Sequence, residues 1–194
     1  LGCFSFFPSK NMAVGGEGGM LTTTVDELTD AVSLVVNHGR SPSLESMQLG
    51  SNLRMSEVSA AIGTVQLSHL DSWVERRREI AEIYFQAFAD HPLISTPKIR
   101  PGAKHAWHQY CLSTEYPDEL VAHLDQHGID ARRYYVTPCH RQNVFAKHPQ
   151  HEAILPVTAT LSSTLVAIPV MHELRDDEIE RIIAAATSFS TPQH

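Results

Sequence analysis

An aromatic run, Phe4-Ser5-Phe6-Phe7-Pro8, leads to one lysine, Lys10. A glycine cluster (Gly15, Gly16, Gly18, Gly19) then turns the chain into a second apolar run, Met20-Leu21-Thr22-Thr23. Two strand-like runs joined through glycines constrain the fold to a hairpin-type unit. A lysine between an apolar strand and a turn can be partly desolvated, which disfavours the ammonium and frees a neutral amine. Such an amine can condense with an aldehyde or ketone. Spacing alone favours the plainer reading, a surface lysine beside a turn. The glycines could cradle a phosphate, but no glycine-lysine-serine/threonine sequence follows them as a nucleotide loop needs. They predict a tight hairpin with positive φ that fixes the lysine's strand, with Glu17 exposed at its tip.

Downstream, Thr24 and Glu27 have the spacing of a capping box. Leu28, Ala31, Val32, Val35 and Val36 then form a helical apolar stripe suited to packing on a sheet, with Gly39 as terminator. Residues 40–50 hold Pro42 and several serines and predict a loop. Ser56 is placed to cap a helical segment reaching about Asp90, with His91-Pro92 as the stop. About 35 helical residues span roughly 50 Å, enough to bridge two domains. Its apolar stripe (Val58, Ala61, Ile62, Val65, then Leu67, Leu70, Val74, then Ile80, Tyr84, Phe88) shifts partway, predicting a kink or a change of packing partner. The run Glu75-Arg76-Arg77-Arg78-Glu79 inside it reads as a solvated face with i,i+4 pairs. Beyond Pro92 the order is strand (Ala106 to Leu112), helix (Pro117 to Gly128), strand (Ile129 to Val136), then loop and short helix (Pro138 to Gln150). A buried strand (Thr164 to Pro169) and an acidic-start helix bearing Ile179, Ile182, Ile183 and Ala186 complete it. This is the pattern of an α/β sandwich, and Ser190 to His194 reads as a frayed tail.

Fifteen basic against twenty-two acidic side chains give a formal charge of −7, which argues against nucleic-acid or anionic-membrane binding. Three widely spaced cysteines, Cys3, Cys111 and Cys139, fit a reducing compartment rather than a disulfide framework. No apolar run approaches the ~20 residues of a membrane span and no signal-peptide pattern is present. The expectation is a cytoplasmic protein.

Ser5, Phe6, Lys10, Asn11, Met12 and Gly15 to Met20 resemble the S-F-x-x-x-K … N-M-x-x-G-G-E/D-G-G-M segment of the DegT/StrS-like sugar aminotransferases. These are pyridoxal-phosphate enzymes of the aspartate-aminotransferase fold. Gly50, Asn52 and Arg54, with Ala60-Ala61-Ile62-Gly63 to Gln66-Leu67, are similar to the family's G-x-N-x-R and A-A-x-G-x-x-Q-L motifs. Arg77, Ile80, Ala81 and Tyr84 match R-x-x-I-A-x-x-Y. Gly128-Ile129, Tyr134-Tyr135 and Pro138-Cys139-His140 resemble G-I … Y-x-x-P-L-H. Ala167-Ile168-Pro169 with Glu178-Ile179 resembles the closing L-P … E-E-I.

The resemblance implies a part of a pyridoxal-phosphate transferase large domain, a mixed sheet with a covering helix, at residues 1–55. A long bridging helix follows at 56–91 and a small carboxy-terminal α/β domain at 92–194. Family members place the lysine near the middle of a longer chain, so the resemblance implies the carboxy-terminal half of such an enzyme.

The resemblance also implies site roles. Lys10 would carry the pyridoxal 5′-phosphate Schiff base and shuttle the proton in transamination. Ser5 would donate to the cofactor phosphate, and Asn52 would reach the phosphate of a neighbouring subunit in a homodimer with shared active sites. Arg54 would hold a substrate carboxylate bidentately, as glutamate or α-ketoglutarate requires. His140 would sit near the substrate pocket. Each has a plainer alternative: a strand serine, an Asx-turn asparagine, a surface arginine and a satisfied loop histidine. The implied reaction moves an amino group from glutamate to a nucleotide-linked keto-sugar. Family dehydratases carry histidine in place of the lysine, so Lys10 argues for amino transfer over dehydration. A truncated, non-catalytic dimerisation or interaction module is the alternative from another class.

Twelve histidines raise the question of a metal site. His105 and His108, three apart on a predicted strand, would face opposite sides. His148, His151 and Glu152 would suit one helical face, but Pro149 intervenes and no further ligand is paired with them. No metal site is expected.

Overall fold

The computed structural model describes residues 1–190. The chain divides into two compact units, Leu1–Ser72 and the residues from Trp73 onward. Mixed α/β structure is present throughout.

In the first unit, β1 (Gly2–Ser5) and β2 (Gly19–Thr22) pair antiparallel, Gly2 opposite Thr22 and Ser5 opposite Gly19. The hairpin relation predicted from sequence is present, but its connection is residues 6–18 and not a tight glycine turn. Only Gly15 of the four glycines takes a positive φ, +73°. Lys10 lies inside this connection, beyond the end of β1. Pro8 accounts for the early end of the strand: it cannot donate a ladder bond, and its fixed φ suits the second position of a β-turn. That turn forms, with the Lys10 N–H donating to the Phe7 carbonyl at 2.8 Å. Glu17 is exposed, as expected.

Helix α1 (Asp26–Val36) follows without the Thr24–Glu27 capping box. Val25 takes the N-cap position, and the Thr23 hydroxyl accepts the Val25 N–H at 3.1 Å. At the other end His38 and Gly39 both take positive φ, and the Gly39 N–H closes on the Leu34 carbonyl at 2.7 Å. Helix α2 (Glu57–Leu67) starts as predicted, the Ser56 hydroxyl accepting the Ser59 N–H at 3.1 Å. The segment running to Asp90 is not one helix. Tight i→i−3 bonds from Ser68 to Val65 and from His69 to Gln66 separate α2 from α3 (Leu70–Phe88), a break within the segment whose apolar stripe shifts. The core of this unit is small: Phe6, Met12 and Val14, with Met55 and Leu70 against them.

The second unit has the larger core. Ile80, Ala81, Tyr84 and Phe88 of α3 pack with Tyr110 and Leu112 of β3 (Tyr110–Ser113) and with Leu120 and Leu124 of α4 (Pro117–Gln126). Val166 and Ile168 of β4 (Leu165–Ile168) and the apolar face of α6 (Asp176–Thr187) complete it. Strands β3 and β4 pair antiparallel, and single bridges extend the sheet on each side, Ser95 to Ser113 and Arg132 to Ala167. The strand predicted over Ile129 to Val136 is therefore one bridge only. Past Arg132 the chain leaves the sheet, with Arg133 held by Asp118 at 2.8 Å and by the Ser162 carbonyl at 3.0 Å. Helix α5 (Pro156–Thr164) lies in a stretch where the sequence pattern predicts no regular element. The predicted strand over Ala106 to Leu112 starts only at Tyr110, so His105 and His108 lie on a loop.

The charge run on α3 also differs from expectation. Arg76 pairs with Glu79, and Arg78 with Glu75, at i,i+3, while Arg77 between them is buried. Of the predicted frayed tail, residues 191–194 lie outside the described residues.

Candidate functional site

Lys10 is the only charged side chain between Leu1 and Gly16, and the lysine is half-buried. Its position follows from how the 6–18 connection is anchored. At the base, the Phe6 N–H donates to the Gly18 carbonyl at 2.9 Å. Phe6, Met12 and Val14 turn inward and form the unit's core, so the connection is bound on both sides of the lysine by apolar burial. On the far side, the Ala13 N–H donates to the Gln66 side-chain oxygen of α2 at 2.9 Å. The lysine thus rides on a loop fixed at several points rather than on a free surface turn.

Ser5 ends β1 and is exposed, its hydroxyl 3.4 Å from the Phe7 N–H as acceptor. Asn52 and Arg54 are both exposed and form a pair, Arg54 Nε donating to Asn52 Oδ1 at 3.1 Å. With its oxygen engaged, the Asn52 side chain presents its NH2 as donor. The backbone here is tied to the carboxy end of α1 by an Asn37–Asn52 bridge, Ser51 N–H to Val35 O at 2.9 Å and Leu53 N–H to Val36 O at 3.0 Å. Met55, next after Arg54, packs on the Phe6–Met12–Val14 cluster, so the Asn52–Arg54 segment leads directly into the packing under the lysine loop. His140 belongs to the second unit, half-buried in a 3-10 turn, Cys139–Arg141. Its neighbour Arg141 pairs with Glu152 and holds that carboxyl below its ordinary range.

These groups suit an anionic, aldehyde-bearing ligand: one amine with no acidic side chain before Glu17, and neutral donors at Ser5 and Asn52. Gly63 and Gln66 were legible in the sequence only as motif letters. The signal that could have exposed their role is their i,i+3 spacing, which puts both on one face of α2. The Pro8-Ser9 pair before the lysine is a further turn signal.

Residues 1–187 match the DegT/DnrJ/EryC1/StrS aminotransferase family. The chain belongs to this family. The aminotransferases of this family are pyridoxal-phosphate-dependent. Over 187 residues the chain is 32% identical to the dTDP-3-amino-3,4,6-trideoxy-α-D-glucose transaminase of Streptomyces venezuelae, covering 96% of this chain and 49% of the relative. It is 35% identical over 188 residues to the "Pleiotropic regulatory protein" of Geobacillus stearothermophilus, at 96% and 50% coverage. Among solved structures, S. venezuelae DesV in complex with a ketimine intermediate superposes with a TM-score of 0.91 at 31% identity, over 97% of this chain and 52% of that one. The chain thus spans about half the length of the relatives it matches. Among the described residues no helix is long and apolar enough to cross a membrane.

Proposed function

We propose that this chain is the carboxy-terminal half of a pyridoxal-phosphate-dependent aminotransferase that moves an amino group from glutamate to a nucleotide-linked keto-sugar. The reading includes a cytoplasmic homodimer with shared active sites. The observation that carries it is Lys10, an isolated cation on a connection anchored by Phe6, Met12, Val14 and Gln66. The names of the relatives support the substrate class, since the S. venezuelae protein is named as a dTDP-amino-sugar transaminase.

Bound pyridoxal phosphate supplies an aldehyde that takes up amino groups and a ring that accepts electrons. Lys10 Nζ would hold that group and, when free, would move a proton at the substrate carbon bearing the amino group. Ser5 and the Asn52 NH2 would serve as phosphate donors, Asn52 across the dimer. Arg54 receives the donor's carboxylate, and His140 lies toward the sugar.

The reading of the chain as a half is supported by the first unit's surface. The α1 stripe, Leu28, Val32 and Val35, joins Leu21 and Leu53 around an apolar hollow of about 250 Å³. Leu28 and Val35 are each 41% exposed and Leu53 63%. A helical stripe suited to a sheet thus stays partly exposed beside the two-stranded β1–β2 sheet, as expected where the rest of a large domain covers it.

The test is reduction with borohydride after addition of pyridoxal phosphate to the full-length or complemented protein, followed by peptide mass analysis. Cofactor mass on the Lys10 peptide, together with amino-sugar formed from glutamate and a nucleotide keto-sugar, is the expected result. Absence of the Lys10 adduct leaves the non-catalytic module as the surviving reading. A deoxygenated product without nitrogen transfer points to dehydration.

A further inference from the structure

The Lys10 connection meets α2 through two residues that no catalytic role explains. Gly63 is buried, and a Cβ built there would lie 3.0 Å from Val14 Cγ1 and 3.9 Å from the Met12 terminal methyl carbon. One turn on, Gln66 extends its side-chain oxygen to the Ala13 N–H at 2.9 Å, a part-buried bond between residues 53 apart in sequence. A single face of α2 therefore offers a notch that receives the connection's apolar side chains and a hook that takes its backbone.

The hook acts on the stretch between the turn and the notch. Lys10 is fixed on one side by the Phe7–Lys10 turn, and Val14 on the other is fully buried. The residues between them have no regular secondary structure. The Ala13 N–H is a backbone donor of that stretch bound to another element, and its acceptor is a side chain whose length must match. Losing the acceptor leaves a partly buried N–H unpaired, which shifts the balance among the conformers of an irregular segment.

We propose that Gln66 is a positioning residue for Lys10. By taking the Ala13 N–H it holds residues 10–13 against α2 and so sets how the Lys10 amine meets an aldehyde. This rests on the aminotransferase reading, and the experiment separates the two.

In the protein with pyridoxal phosphate, Gln66→Leu keeps the volume and removes the acceptor, while Gln66→Glu keeps an acceptor oxygen at the same reach. Two quantities are measured: hydrogen exchange at the Ala13 amide, and the rate and pH midpoint of borohydride-fixed cofactor mass at Lys10. Gln66→Leu is expected to speed Ala13 exchange by on the order of tenfold. It is also expected to slow fixation at Lys10 and move its pH midpoint, with Gln66→Glu restoring the exchange and the fixation rate, while its carboxylate by itself raises the midpoint. Unchanged Ala13 exchange in Gln66→Leu overturns the proposal. So does faster exchange with unchanged fixation rate and pH midpoint, which would make the bond a tether without influence on the amine. If Gln66→Leu does not fold, Gln66→Asn, one methylene too short to reach, is read by the same criteria. A wild-type protein that fixes no cofactor at Lys10 removes the aminotransferase reading, and Ala13 exchange then decides by itself whether Gln66 holds the connection.

Discussion

Gly18 leaves no room beside Val14: a Cβ built on the glycine would lie 2.5 Å from Val14 Cγ2. The valine side chain has no solvent exposure, so it cannot retreat outward. Gly18→Ala is therefore expected to destabilise the first unit by about 1–3 kcal/mol, the usual cost of overpacking. Val14→Ala alone opens a void, while the double variant Gly18→Ala/Val14→Ala recovers part of the loss. Urea unfolding of the four proteins measures the coupling. Strict additivity would show that the two residues do not share the space.

The Arg54–Asn52 pair makes a separate prediction. If Arg54 receives the amino donor's carboxylate, Arg54→Ala raises KM for glutamate by about ten- to hundredfold, the range for hydrogen bonds to a charged group. Asn52→Ala removes the acceptor that Arg54 Nε uses at 3.1 Å and has a smaller effect of the same sign on that KM. It should also weaken retention of the cofactor phosphate. Steady-state kinetics with glutamate varied, and cofactor release on dilution, check the two effects.

Arg77 is a structural arginine inside a charge run. It is 6% exposed, and its Nη1 donates to the Trp107 carbonyl at 3.0 Å and the Val170 carbonyl at 3.1 Å. Burial holds its pKa below the ordinary arginine value. Arg77→Ala strands two carbonyls and is expected to cost about 2–4 kcal/mol of stability, with each unpaired group contributing a share. Arg76→Ala, which loses exposed pairs with Glu79 and Asp176, is expected to cost under about 1 kcal/mol. Chemical denaturation of both variants provides the comparison.

His172 ties stability to pH. Its ring stacks on Trp73 at 4.4 Å between centroids, and burial holds its pKa below the ordinary value of 6.5. Nearby Glu173 opposes the shift and Arg77 adds to it. Because the folded state binds this proton less readily than the unfolded state, the contribution of neutral His172 is complete above pH 6.5. It is lost as pH falls from there through the folded value. His172→Phe keeps the stack and is expected to flatten this part of the profile. Thermal melts between pH 5 and 8 measure the slope.

Much of the fold was legible because the determining chemistry is local. Pro117 with two acids opens α4, the Ser56 hydroxyl caps α2, and Leu165–Ile168 forms a buried strand. The failures share a cause: the outcome depended on a distant partner. Residues 129–136 carry strand-forming side chains, yet only Arg132 meets β4 before the Arg133 contacts draw the chain away. The 75–79 charges looked uniformly solvated because sequence does not show that Trp107 and Val170 carbonyls converge on Arg77. In the candidate site, the lysine, the glycine cluster and the asparagine–arginine segment stood out through their resemblance to the family's motifs, not through spacing. That Lys10 lies past the strand, on a loop hooked by Gln66, did not.

By itself the sequence determined the family, the amine at residue 10 and most helix ends, since each depends on side-chain types at short separations. Only the tertiary structure decided that Val14 sits between Gly18 and Gly63, and that Ala13 is held by a residue 53 positions away. Close packing and a single hydrogen bond across that distance arise only when α2 and the β1–β2 connection come together, and no local pattern encodes their meeting.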